Sequence, residues 1–266
     1  MNPERSAQPG GAEESFVRPR HASWPAAWGD LGRLYLGFVC YGVLGLCVIL
    51  ACWLIAVPVR KEQRRKHLCQ YAVHLGVRCW WVLVTALGIF AVDFPEAERV
   101  RGLRGTILAP SHPTLVDALT FLARMPRLTC LMKKSILKNP FMGRSTRLAG
   151  YLPNDHGREF IRLGRDALRA GENLLIFPEG TRTVARPVNP FKMGFALMAK
   201  LAEAPVQTVF ITVPYFMAGK RWKFWWAPVL PLRITVRLGD TFRARPEQSA
   251  HAFGAEVEQY FRERMG

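Results

Sequence analysis

The chain has 266 residues, half of them hydrophobic, with 37 Lys and Arg against 20 Asp and Glu and a formal charge of +17. Such a length holds one sizeable α/β domain with a membrane attachment, and the charge suits nucleic acid, an anionic bilayer or phosphorylated substrates. No zinc-finger spacing, RNA-recognition signature or helix-turn-helix pattern is present, so no nucleic-acid partner is expected, and six cysteines without a C-x-x-C pair indicate neither a metal site nor a disulfide framework.

Residues 1–33, rich in Pro, Gly, Ala and charge, read as a mobile tail. Leu34–Val59 contains no charged residue. At about 1.5 Å per residue this run exceeds a hydrocarbon thickness of roughly 30 Å, which predicts a transmembrane helix over 34–59. Arg60, Lys61, Arg64, Arg65 and Lys66 follow it, and the positive-inside bias puts that end in the cytoplasm. Residues 60–86 then join this basic cluster to an amphipathic helix. Gln63, His67, Gln70, His74 and Arg78 recur on one side, expected to face water. Leu68, Tyr71, Ala72, Leu75, Cys79, Val82 and Leu83 take the other, and Trp80 and Trp81 suit the headgroup level. A helix in the membrane surface is favoured over a second crossing, which would bury Arg78 and return the following domain to the tail's side.

From residue 87 to 266 strand and helix signals alternate. Ile89–Phe94, Thr106–Pro110, Asn173–Phe177, Val206–Val213 and Arg233–Leu238 read as strands. Pro113–Arg124, Gly157–Ala170, Phe191–Ala202 and Pro246–Met265 read as helices. The expected fold is α/β, with a mostly parallel central sheet and flanking helices.

Two short motifs carry chemistry. His112-Pro113-Thr114-Leu115-Val116-Asp117 sets an imidazole and a carboxylate five positions apart. In one continuous helix that spacing is about 500°, or roughly 140° off-face, so the two can meet only if His112 lies in a loop ahead of the helix. An imidazole is the usual base near neutral pH, and a carboxylate on its second nitrogen fixes the tautomer. Alone, such a pair is commonly a helix cap and a first-turn acid. The second motif, Phe177-Pro178-Glu179-Gly180-Thr181-Arg182, ends a buried strand in a turn that exposes polar groups at the sheet edge, and Arg182 suits a bidentate grip on phosphate. Farther on, Lys220-Arg221-Trp222-Lys223-Phe224-Trp225-Trp226 interleaves cations with aromatics, as an interfacial loop touching anionic lipid would.

Together, in this order and spacing, the motifs resemble the glycerolipid acyltransferase family, whose best-known members acylate lysophosphatidic acid. The resemblance covers roughly Gly88 to Pro214 and includes Phe191-Lys192-Met193-Gly194 and the basic stretch from Lys133 and Lys134 to Pro140-Phe141-Met142-Gly143. It implies a membrane-bound O-acyltransferase moving a fatty acyl group from acyl-CoA or acyl carrier protein to a lysophospholipid hydroxyl. His112 would be the base and Asp117 its orienter, with Glu179, Gly180, Thr181 and Arg182 shaping the acceptor site. Relatives often place an arginine where this chain has Asn154 and Asp155; Lys134 and Arg158 are candidates to hold the acceptor phosphate in its stead. No metal or resident cofactor is implied, the thioester being a cosubstrate. The expected location is a bacterial inner membrane with anionic lipids, the catalytic domain facing the cytoplasm. Other acceptors, such as a lyso-aminolipid or a pigment precursor, remain open. A non-catalytic lipid-binding protein is the rival outside the class; it has no need of His112 and Asp117.

Overall fold

The structure is a computed structural model that describes residues 24–132, 138–139, 142–153, 157–184, 187–213 and 228–266. Two long helices, α1 (Trp24–Ala56) and α2 (Glu62–Ala86), precede an α/β domain. The domain runs β1 (Phe90–Asp93), α3 (Ala97–Arg101), β2 (Ile107–Pro110), α4 (Asp117–Leu122), β3 (Thr129–Met132), α5 (Met142–Leu148) and β4 (Leu152–Pro153). It continues through α6 (Arg158–Arg169), β5 (Leu174–Leu175), α7 (Gly194–Ala202), β6 (Val206–Thr212), β7 (Leu232–Phe242) and α8 (Ala250–Met265). Seven strands form one sheet in the order β1-β7-β6-β2-β5-β3-β4. All neighbours pair parallel except β6 and β7. The expected mostly parallel sheet with flanking helices is therefore the architecture found.

Both faces of the sheet are covered, which is why its central strands are apolar without alternation. Leu108, Leu175, Val209 and Ile211 point to the side packed by α1, α2, α4 and α5. Ile107, Ala109, Leu174 and Val206 point to the side packed by α6, α7 and α8, around Phe195, Phe253 and Phe261. Ser249 caps α8 by accepting from the Ala252 N–H at 3.1 Å. The short elements β3, β4, α3 and α5 were not foreseen: each is held by its neighbours in the fold rather than by a periodic signal of its own.

Helix α1 starts at Trp24, inside the stretch read as tail, and carries Asp30 and Arg33 in its first turns. Asp30 is buried there because it accepts from the Arg33 guanidinium and from the Leu230 N–H, 200 residues away. Contacts between α1 and α2 run in opposite order along the two chains: Cys52 meets Cys69, Val48 meets Gly76, and the Gly37 carbonyl accepts from Trp80. The helices are thus an antiparallel hairpin and share one inclination.

Part of the polar face of α2 turns inward, against the sequence expectation, while Gln63 and Arg78 of that face stay exposed. Gln70 and His74 are buried against the α/β domain. The Gln70 amide donates to Thr129 Oγ1 and to the Ala149 carbonyl, both at 3.1 Å. His74 Nδ1 lies 2.8 Å from the Leu122 carbonyl oxygen. Trp80 and Trp81 are also interior, donating to Gly37 and Leu119 carbonyls at 2.9 Å. Outward stand Tyr71, Leu75 and Val82, continuous with Val39, Val43, Leu46, Leu50 and Leu54 of α1. A helical period identifies two faces but not which one the domain covers; here the domain offers carbonyls that accept from side chains of α2.

Gly76 lets the hairpin close, since a methyl group placed on it would overlap Val48 Cγ2. Gly76→Leu should therefore wedge α1 from α2 and lower unfolding stability by about 1–3 kcal/mol. Thermal denaturation in detergent micelles would register the loss, together with new protease cleavage between α1 and α2.

Candidate active site

Strand β2 ends at Pro110, and the chain turns through Ser111 to Val116 before α4 begins at Asp117. The helix starts four residues later than its sequence pattern suggested because this turn wraps around the Asp117 carboxylate. Thr114 donates its backbone N–H to Asp117 Oδ2 at 2.7 Å and its hydroxyl to Oδ1. His112 Nδ1 completes the shell, 2.9 Å from Oδ2. The backbone N–H groups of Thr114 and Val116 are thereby spent on the turn itself, the second on Thr114 Oγ1 at 3.3 Å. The break required by the five-residue spacing lies between His112 and the helix, as derived.

Asp117 is fully buried while the His112 side chain keeps 19% of its surface open. Burial pushes the Asp117 carboxyl above the usual carboxylate range, and the bonds from His112 and Thr114 pull it back. The imidazole lies on the Phe177 ring, centroids 3.9 Å apart and planes 20° from parallel. With Nδ1 held by a carboxylate and one face held by an aromatic ring, the orientation of Nε2 is fixed.

The second motif meets the first through Glu179. This side chain is 2% exposed. Its Oε1 accepts from the His112 backbone N–H at 3.0 Å and from the Thr183 hydroxyl at 2.7 Å, and its Oε2 accepts from the Asn189 N–H at 2.9 Å. The Thr183 N–H donates back to the His112 carbonyl at 2.8 Å. Glu179 thus joins the two motifs and is buried, not exposed at the sheet edge as the sequence reading had it. Desolvation raises its carboxyl above the ordinary value, opposed by the Asn189, Thr183 and His112 donors. Gly180 follows in a left-handed conformation (φ 66°), with the Lys192 side chain crossing where a Cβ would stand. Thr181 is exposed and Arg182 half-buried on the same turn, and the Arg182 carbonyl accepts from the Asn189 amide at 3.1 Å.

The remaining candidates are more distant or undescribed. Arg158 is exposed at the start of α6, beyond β4. Lys134, Asn154, Asp155 and the cation-aromatic run from Lys220 to Trp226 lie outside the described residues. Among the described residues no group of three His, Cys, Asp or Glu side chains could hold a metal. Thr114, Phe177, Thr183 and Asn189 were missed as parts of the site. Thr114 and Phe177 sit inside the motifs, but Asn189 has no signature of its own. Beside the turn, a cavity of about 750 Å³ opens toward α8, lined by Ser111, Pro113 and Thr183 and by Arg99, Arg237 and Arg264.

An acyltransferase family model matches residues 91–212, a range that holds both motifs. The 1-acyl-sn-glycerol-3-phosphate acyltransferase of Cocos nucifera is 28% identical over 171 residues, 61% of this chain and 51% of that protein. The chain thus spans about half the length of that relative. The crystal structure of the 1-acyl-sn-glycerophosphate (LPA) acyltransferase from Thermotoga maritima has the same fold, with a TM-score of 0.66 at 17% identity over 89% of this chain and 97% of that one.

Glu179→Gln places an amide N–H against one of three donors and should cost about 1–3 kcal/mol. Its pH dependence has a definite sign. A carboxyl raised in the folded state stabilises fully below its unfolded value and loses that contribution as pH rises through the folded value. The gap between the wild type and Glu179→Gln should therefore narrow as pH rises from the ordinary glutamate value of about 4.3 through the raised folded value. Urea midpoints across that range measure it.

Proposed function

We propose that this chain, whose residues 91–212 match an acyltransferase family model, transfers a fatty acyl group from a thioester donor to a lysophospholipid hydroxyl at a membrane surface. The observation that carries this reading is the His112–Asp117 pair, its carboxylate sealed inside and its imidazole open. Asp117 accepts a hydrogen bond from Nδ1–H, which leaves Nε2 as the basic nitrogen. Nε2 takes the proton from the acceptor hydroxyl as the oxygen attacks the thioester carbonyl. The carbon–sulfur bond breaks, the ester bond forms, and the proton passes to the departing thiolate. Loss of the Asp117 charge in acid would release the imidazole from its tautomer, so an acid limb in the rate is expected above the ordinary carboxylate range.

Thr181 and Arg182 stand on the turn beside His112, and Arg182 is our candidate for the acceptor's phosphate; Lys134 and Arg158 extend that assignment. The arginine-lined cavity toward α8 would receive the polar head of the donor, whether coenzyme A or a carrier protein.

The hairpin supplies the lipid contact. Its outer face is a continuous apolar surface, and α1 over Ala26–Ala56 is long and apolar enough to cross a membrane. The α/β domain, however, packs along α2 from Cys69 to Val84. A domain held along the whole helix cannot stand clear of a bilayer that the helix crosses. We read the hairpin as seated in one leaflet with its outer face in lipid and the His112 site at the same surface, on the cytoplasmic side where thioesters are made.

The test is transfer from labelled acyl-CoA and acyl carrier protein to lysophosphatidic acid and to a lyso-aminolipid in vesicles, with products identified by mass spectrometry. His112→Ala should lower turnover about 10²–10⁴-fold with unchanged folding. Arg182→Ala should raise the acceptor KM about 10- to 100-fold and leave the donor KM nearly unchanged. Near-normal turnover without His112 would remove it from the mechanism, and a rise confined to the donor KM would reassign Arg182.

A further inference from the structure

Between the start of α2 and helix α5 lies a second cavity, of about 240 Å³, lined by Glu62, Arg65, Lys66, Arg144, Arg147, Leu148 and Gly150. It lies at the opposite end of the parallel strands from His112. His112 follows the carboxyl end of β2, whereas this cavity is tied through Lys66 to Glu172 and Thr129, which precede or begin β5 and β3, strands that run with β2. The catalytic reading gives it no task.

Its floor is rigid and electrically settled. Lys66 Nζ donates to both Glu172 oxygens at 2.6 Å, and Thr129 donates its hydroxyl to the same carboxylate at 2.9 Å. The two charged side chains are only 16% and 14% exposed. The Lys66 stem reaches Glu172 by crossing the place where Gly150, left-handed at φ 68°, lacks a Cβ. With Lys66 matched by Glu172, the walls carry three arginines, Arg65, Arg144 and Arg147, against one acid, Glu62. A wall of guanidinium groups on a fixed floor is suited to an oxyanion with several acceptor oxygens.

The surroundings select the kind of oxyanion. The Arg144 guanidinium lies 5.2 Å from the centre of the Trp53 ring, and Trp53 is partly exposed near the end of α1. Leu50, Leu54 and Val57 stand exposed on that last stretch, and Leu68 and Tyr71 on α2. A tryptophan between an apolar surface and a basic cleft marks the depth of lipid headgroups. The geometry points to this cleft as a binding site for the phosphate of an anionic phospholipid, separate from the catalytic acceptor site, which fixes how the hairpin sits in the leaflet. The inference rests on the membrane seating proposed above.

The experiment uses the full chain with phosphatidylcholine vesicles, with and without phosphatidylglycerol. Arg144→Gln with Arg147→Gln should weaken binding to the anionic vesicles about 10- to 30-fold. It should leave binding to phosphatidylcholine alone, and turnover in detergent micelles, unchanged. Arg245→Gln, an exposed arginine ahead of α8, should change anionic binding less than about twofold. Equal losses in the two variants would overturn the site in favour of diffuse attraction. Full relief of binding by millimolar inorganic phosphate would overturn the lipid as its ligand. Leu46→Lys with Leu54→Lys separates the two readings. If it abolishes binding to both vesicle types, the seating stands. If binding survives it yet falls in the arginine variant, the seating fails and the headgroup site remains.

Discussion

One buried carboxylate holds this molecule's chemistry in place. Glu179 is attached to the end of β5, yet its oxygens are spent on the His112 backbone, the Thr183 hydroxyl and the Asn189 backbone. A buried acceptor of this kind must be satisfied or it costs the fold heavily. Three chain segments therefore converge on it: the turn after β2, the turn after β5 and the stretch leading into α7. The ring of His112 takes its position as a consequence, with Phe177 beneath it and Asp117 behind. The carboxylate that resembles a substrate contact in the motif is the part that makes the remaining contacts possible.

The hairpin follows a related logic with the polarity reversed. Gln70 and His74 face inward, where they meet the carbonyls of Ala149 and Leu122, and Trp81 adds a second donor to the Leu119 carbonyl, which also accepts from the Ala123 N–H. Apolar groups are correspondingly turned out. An outward apolar face is costly in water and favourable in lipid, so a helix of this kind ties one protein surface to one environment. The basic cleft at the hairpin's tip lies where that surface ends.

Much of this was legible in the sequence, and the reasons for the rest are specific. Long elements with strong patterns, such as α1, α6, β6 and α8, announce themselves. The His112–Asp117 geometry could be derived because a helix forbids that spacing and a loop permits it. Glu179 was legible as important but not in its role, since a motif shows which side chain is present and not what surrounds it. Thr183 and Asn189 are ordinary residues until the fold brings their donors to Glu179. That Gln70 and His74 turn to the domain was not legible, because a period marks a face without naming what covers it. The strands β3 and β4, of four and two residues, take their hydrogen bonds from β5 and from each other, with little local preference of their own.

The partners of the hairpin are distributed late in the chain. Asp30 bonds to Leu230, Lys66 to Glu172, Gln70 to Ala149 and His74 to Leu122. The hairpin precedes these partners in the chain and is consequently completed only after them, with polar groups on its inner face and apolar groups on its outer face both waiting for their proper surroundings. Such a segment is prone to wrong association while it waits. Early delivery to the bilayer would shield the outer face during synthesis, and the α/β domain would then assemble against a helix already in place. If the hairpin is seated in a leaflet as proposed above, the membrane would act on this protein as a folding partner.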